Sequence, residues 1–156
     1  MPDFIIDPNN KNWMAEHLQR YLGSQGEDGY YVDFRAIGGP AQVPTLILTT
    51  TGRVSGKPLT LPLIFGRFDG TLVIIASKGG APDHPAWFKN LAANPLADIQ
   101  LKADKYRVRA RVATGDERAR LWQQMNAFYP AFEKYQSRTA REIPVVVLDP
   151  VAGQSS

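Results

Sequence analysis

The chain has 156 residues, Lys+Arg 18 against Asp+Glu 15 for a formal charge of +3, two histidines, no cysteine, and 44% hydrophobic residues. That length and balance suit one folded core and exclude wholesale disorder. The missing cysteine excludes a disulfide framework, a thiolate nucleophile and Cys-ligated zinc or iron–sulfur centres in this chain. With only His17 and His84, a histidine-rich metal centre is not expected either.

Near the start, Phe4, Ile5 and Ile6 between two aspartates are too short for the apolar region of a secretory signal, so a cytoplasmic protein is expected. Trp13, Met14, His17, Leu18, Tyr21 and Leu22 recur at helical spacing between Asn12 and Gly23, which predicts an amphipathic helix. Its apolar face is expected to pack on its own domain. Peripheral membrane contact is the minority reading, since the polar face is not rich in Lys or Arg. Residues 1–42 thus read as this helix and a loop-rich lead-in, with a short strand around Tyr30 to Phe34.

Residues 43–150 form the main unit. Thr45 to Thr51 and Thr60 to Phe65 favour strands, and Asp69-Gly70 predicts a hairpin into Thr71 to Ala76. Pro85 fits the first turn of a helix to about Ala93, with Asp83 or His84 as its cap. Ala97 to Lys102 and Tyr106 to Ala113 follow as a strand pair. Thr114 and Glu117 have the spacing of a capping box that opens a helix carrying Leu121, Trp122, Met125, Phe128 and Tyr129. Pro130 interrupts it, a second helix carries Phe132 and Tyr135, and Pro144 to Leu148 is a final buried strand. Residues 151–156 read as a frayed tail. About six mostly antiparallel strands with flanking helices mean an α+β fold, a small barrel rather than a doubly wound parallel sheet.

Three segments carry candidate chemistry. Thr49 to Pro58 places Arg53, Ser55 and Lys57 among two glycines; it can present cations and backbone N–H groups to an anion, or be a plain solvated hairpin loop. Its spacing is not that of a P-loop. Ser77, Lys78 and Gly79 leave a strand toward a helix start, an arrangement that suits an anion or carbonyl oxygen, and Trp87 could stack on a flat ring or belong to the core. His84 reads as a cap sooner than as a base. Tyr129 and Tyr135 could line a pocket and donate protons, or pack the core. Arg107, Arg109 and Arg111 alternate on one strand face and read as a solvated stripe, so no nucleic-acid partner is expected. Without a Ser-His-Asp set, a carboxylate pair or a metal ligand set, an enzyme here would lean on a bound cofactor.

Taken in order, Thr-Thr-Thr-Gly-Arg-Val-Ser-Gly-Lys-Pro, Ser-Lys-Gly-Gly-Ala-Pro-Asp-His-Pro-Ala-Trp, Ala-Asn-Pro, Tyr-Pro-x-Phe-x-x-Tyr-Gln and Arg-x-Ile-Pro-Val-Val resemble the deazaflavin-dependent nitroreductase family of actinobacteria. The resemblance implies a split β-barrel of the FMN-binding type that binds coenzyme F420, with FMN as the alternative ring. It implies an F420H2-dependent reductase acting on a small electron-poor molecule: an enone, a quinone or a nitroaromatic. Arg53, Ser55 and Lys57 would hold the coenzyme's anionic tail. Ser77, Lys78 and Gly79, with Trp87 nearby, would contact its ring and ribityl chain; Tyr129 and Tyr135 would line the substrate side, with these tyrosines or Ser77 as proton source. Val54 and Leu59 stand where many members carry Lys and Arg, and Phe132 where many carry Tyr. A non-catalytic carrier of a lipid or other apolar ligand is the competing reading of the same fold. A monomer or weak dimer is expected.

Overall fold

A computed structural model describes residues 3–151. In chain order these form β1 (Phe4–Ile5), α1 (Trp13–Ser24), β2 (Tyr31–Asp33), β3 (Val43–Thr51), β4 (Pro58–Phe68), β5 (Thr71–Ile75), α2 (Ala86–Ala93), β6 (Leu96–Leu101), β7 (Asp104–Val112), α3 (Gly115–Phe128), α4 (Ala131–Ser137) and β8 (Val145–Pro150), with 3-10 turns at Arg35–Ile37 and Lys78–Gly80. The tail expected at 151–156 lies, beyond Val151, outside the described residues.

Six antiparallel strands close on themselves in the order β3-β4-β5-β8-β7-β6, and β6 pairs back onto β3 through Ile47 to Thr49 and Asp98 to Gln100. This is the small barrel that the strand pattern predicts and the split barrel that the resemblance implies. β1 and β2 extend the sheet beyond β3, so the short strand expected near Tyr30 to Phe34 forms and a two-residue strand precedes it. The Asp69-Gly70 turn has φ of 53° and 80°, the left-handed pair that matches strand twist in a two-residue hairpin.

Side-chain alternation divides the apolar residues between two clusters. Leu46, Leu48, Phe65, Ile74, Ile99, Val108, Val146 and Leu148 fill the barrel. Their neighbours Val73, Ile75, Val145 and Val147 point outward and are covered by Leu121 and Met125 of α3, Phe132 of α4 and the N-terminal Phe4, Ile6, Val32 and Phe34. β5 and β8 are therefore buried on both faces, and their unbroken apolar sequences follow from that. α1 docks through Tyr21, whose hydroxyl donates to the Thr45 carbonyl at 3.0 Å and accepts from the Lys102 N–H at 3.0 Å. The helix thus packs its apolar face on the barrel, although Met14 and Leu22 stay exposed.

Two expected caps do not form. Thr114 occupies the N-cap of α3 without a side-chain capping bond, and the reciprocal half of the box is lost because Glu117 turns instead to Arg111, accepting from Nη1 at 2.6 Å and Nη2 at 3.0 Å. Two charge-assisted bonds outcompete one backbone N–H. At α2 the N-cap is Pro85, and neither Asp83 nor His84 caps it. Asp83 accepts from Lys89 Nζ at 2.6 Å, and His84 faces Arg141. The arginine stripe on β7 is solvated as expected, with Arg107 paired to Asp98 and Arg111 to Asp149 as well as Glu117.

Candidate active site

A cavity of about 540 Å³ opens between the barrel, α1, α2 and α4. Ser77, Lys78, Gly79 and Trp87 line one side of it, and Tyr129, Phe132 and Tyr135 another. Leu59, Leu61 and Leu63 of β4 form an apolar wall, and Trp13, Met14, Phe34 and Ile37 bring the N-terminal segment to the same space. Six sequence-predicted site residues therefore meet in one place. A second hollow of about 560 Å³ lies on the outer face of β3, β6 and β7, lined by residues such as Asp98, Arg107 and Gln100, and contains none of them.

The Ser77–Gly80 stretch leaves β5 and at once enters a left-handed run, with φ of 47° at Lys78, 63° at Gly79 and 84° at Gly80. For a lysine this backbone costs about 1 kcal/mol, so neighbouring contacts must hold it. Gly80 packs under α4, where a Cβ would stand 2.5 Å from the Tyr135 carbonyl. Gly79 faces the other way: nothing lies within 4 Å of the place a Cβ would take. An open glycine backbone beside the half-buried Ser77 admits a planar group at close approach.

Arg141, in the segment between α4 and β8, fastens this stretch. Its guanidinium donates to the carbonyls of Ala81 at 2.8 Å, Ala76 at 3.2 Å and Ser77 at 2.7 Å, and to His84 Nδ1 at 3.0 Å. A guanidinium only donates, so His84 accepts there and carries its proton on Nε2. Burial, and then the charge of Arg141, push the His84 pKa below the ordinary imidazole range.

Arg53, Ser55 and Lys57 do not line the cavity. They are exposed on the β3–β4 loop, which continues directly into the cavity wall at Leu59. The loop is tied internally by Gly52 N–H to the Lys57 carbonyl at 2.8 Å and by Lys57 N–H to Ser55 Oγ at 3.1 Å. It docks on α2 through Asn90, a buried amide whose Oδ1 accepts from the Arg53 N–H and from Nη1 and whose Nδ2 donates to Thr50. The Asn90 amide is neutral, so this contact does not compensate the Arg53 charge. Val54 is 90% exposed, and Leu59 is an apolar part of the wall.

On the opposite side Tyr129 is 3% exposed, with its ring edge-on to Phe34 at 5.4 Å and tilted against Phe132 at 4.9 Å. Burial first, and then the neighbouring Tyr135 phenol, hold its pKa well above the usual phenol value. Its hydroxyl therefore keeps its proton across the neutral range. Tyr135 is half-buried beneath the Arg138 guanidinium, 5.5 Å from the ring centre. Trp87 is 4% exposed and belongs to the barrel cluster, as its core reading expects, and it also touches the cavity.

The sequence reading assigned no role to Asn90, Arg141 or the N-terminal wall, although Arg141 opens the Arg-x-Ile-Pro-Val-Val motif. Asn90 carries a signal in hindsight: it is a polar residue on the buried helix face between Trp87 and Leu91. Trp13 and Phe34 carry none, because apolar residues in a helix and a short strand read as core. Among the described residues no three His, Cys, Asp or Glu side chains group as a metal site, and no helix is long and apolar enough to cross a membrane.

Comparison with known proteins is consistent with this geometry. The sequence model of a family described as F420H(2)-dependent quinone reductase matches residues 13–150. An F420H(2)-dependent quinone reductase of Mycobacterium tuberculosis is 40% identical over 135 residues, 85% of this chain and 86% of that protein. Among solved structures, an F420-H2 dependent reductase superposes with a TM-score of 0.63 at 37% identity, covering 68% of this chain and 94% of its own. A structure titled as a domain-swapped dimer gives the same TM-score and identity, covering 68% of this chain and 80% of its own.

Proposed function

The chain belongs to the family of F420H(2)-dependent quinone reductases, and from that premise we propose that it is an F420-dependent oxidoreductase whose acceptor is a quinone. The observation that carries the reading is the placement of an open backbone at Ser77–Gly79, left-handed from Lys78 onward, across one apolar cavity from Tyr129 and Tyr135. Family membership sets F420 ahead of FMN. Enones and nitroaromatics share the electron-poor character of quinones and are further acceptors in the same proposal.

The residues fit such a coenzyme. Gly79 leaves room for a flat ring where any side chain would intrude, Trp87 and Leu61 give it apolar surroundings, and exposed Arg53, Lys57 and Lys78 offer cations to an anionic tail. When bound, the reduced deazaflavin supplies a hydride. The chain supplies position and protons: Ser77 and Gly79 fix the plane of the ring, Phe34 and Phe132 exclude water, and acceptor and ring are held together in a way worth several kcal/mol of barrier. Tyr129 Oη keeps its proton and can donate a hydrogen bond to a quinone oxygen as that oxygen gains charge. Tyr135 Oη and Ser77 Oγ are the other proton-bearing groups on the cavity.

Purified protein mixed anaerobically with reduced F420 and menadione should reoxidise the coenzyme. Coenzyme that binds but is not oxidised by any quinone, enone or nitroaromatic would overturn the reductase reading, whereas a co-purified fatty acid with no coenzyme binding would favour the carrier. A monomer or weak dimer remains the proposed state, and the domain-swapped relative makes the dimer worth measuring by light scattering.

A further inference from the structure

Arg141 is unusual in what it does not bind. Its four hydrogen bonds all go to neutral acceptors, three carbonyls and one imidazole, and all four acceptors lie in the single stretch Ala76–His84. No carboxylate pairs with it among the described residues. A half-buried cation with no carboxylate in direct contact is costly to keep: desolvation lowers its pKa, and the more distant charge of Asp83 offsets only part of that. Its bonds need a planar fork: Nε reaches Ala81 on one side of the left-handed run, while both terminal nitrogens reach Ala76 and Ser77 on the other. The guanidinium therefore brackets Lys78, Gly79 and Gly80, the three residues whose backbone is left-handed. A lysine ammonium is a point donor and cannot span both ends of the run.

We propose that Arg141 is a positioning residue for the coenzyme: it holds Ser77–Gly79, before any ligand arrives, in the conformation that keeps the Gly79 backbone open to the cavity. This rests on the functional reading of Ser77–Gly79 given above. The hold has a specific kinetic consequence. Without it the open form of the loop is only a fraction of the population, and apparent coenzyme affinity falls by that fraction. Coenzyme at saturation restores the open form, so turnover returns.

The test is Arg141→Lys, with Arg141→Gln as a second variant should the first not fold. Hydrogen exchange in the coenzyme-free protein should speed up at least tenfold at Gly80 and Ala81, whose amides donate to Ser77 and Lys78, and stay unchanged in β3, β5 and β8. The dissociation constant for oxidised F420, read by fluorescence, should rise about tenfold, while kcat at saturating coenzyme stays within about twofold of the parent. Unchanged loop exchange overturns the proposal. So does unchanged coenzyme affinity, and so does a uniform rise in exchange across the barrel, which marks a merely structural role. If the parent protein binds no coenzyme, the functional reading fails and the positioning role falls with it; the exchange in the free protein tells the two failures apart.

Discussion

Gly79 and Gly80 are adjacent, share a left-handed backbone, and differ in what a methyl group would meet, so Gly79→Ala and Gly80→Ala separate conformational from steric cost. At φ of 63° and 84°, each alanine costs about 1 kcal/mol in backbone energy. At Gly79 nothing further is added, since the space is open. At Gly80 the new Cβ stands 2.5 Å from the Tyr135 carbonyl and 3.0 Å from Arg138 Cβ. Relieving that overlap pushes α4 off the loop and adds about 2 kcal/mol, within the usual range for overpacking. With a urea slope of about 2 kcal/mol per molar, the midpoint should fall by roughly 0.5 M for Gly79→Ala and roughly 1.5 M for Gly80→Ala. Coenzyme titration followed by fluorescence should separate them further. The Gly79 methyl occupies the open face of the cavity and should weaken F420 binding about tenfold, a difference of roughly 1.4 kcal/mol, despite its small effect on stability. Equal midpoint shifts, or parental affinity in Gly79→Ala, would refute the assignment of Gly79 as the open face and Gly80 as the packed one.

Replacing Lys57 or Arg53 with Ala should weaken coenzyme binding, more at low salt than at high, and leave turnover at saturating coenzyme largely intact; equal loss of turnover would remove the loop from the tail-binding role. Tyr135→Phe should keep coenzyme affinity and change quinone turnover, read as kcat and KM for menadione with coenzyme saturating. His17 is buried, and desolvation lowers its pKa below the usual value. The unfolded chain then binds a proton that the folded chain does not, so stability is complete above about pH 6.5 and is lost as pH falls below it toward the folded value. Tm should fall on acidification in that window, and His17→Gln should flatten the slope without abolishing it, since His84 shifts in the same direction. Tyr21→Phe removes the acceptor of the part-buried Lys102 N–H and the donor to the Thr45 carbonyl, and should cost about 1–3 kcal/mol in urea unfolding, with coenzyme binding unchanged.

The barrel was legible because its strands carry their own signals. Asp69-Gly70 can hardly be anything but a tight turn, and the unbroken run Val145 to Leu148 needs apolar partners on both faces, which the two clusters supply. Caps were less legible because a capping residue has rivals that only the fold brings near. Glu117 has the spacing of a capping box, yet Arg111 lies six residues back along the chain and, once β7 and α3 fold against each other, presents two donors to one carboxylate. Arg141 shows the same limit from the other side. Its acceptors are 57 to 65 residues away and mostly backbone carbonyls, which look alike in every sequence. The charge pattern of the β3–β4 loop was readable, but its docking through Asn90 depends on α2 approaching Thr50 and Arg53.

The cavity draws its two sides from different parts of the chain, and this bears on how the protein could vary. On the proposed reading the coenzyme side is the Ser77–Gly80 turn, braced by Arg141, with the β3–β4 loop, anchored by Asn90, outside the cavity beside its β4 wall. Both are fixed from behind by buried or half-buried polar side chains, so a change in either alters affinity before chemistry. The acceptor side is made by Tyr129, Phe132 and Tyr135 together with Trp13, Met14, Phe34 and Ile37. The two groups meet where Phe34 packs edge-on to Tyr129, and Met14 and Ile37 are exposed at the edge. Apolar contacts of that kind tolerate exchange of one shape for another at low cost, whereas the Arg141 fork does not. Substitutions at Met14, Ile37 or Phe132 should therefore shift which quinone is reduced while leaving F420 affinity within about twofold. Steady-state kinetics with a series of quinones of increasing ring substitution measures both quantities, and a parallel loss of coenzyme affinity would show that the two sides are not independent.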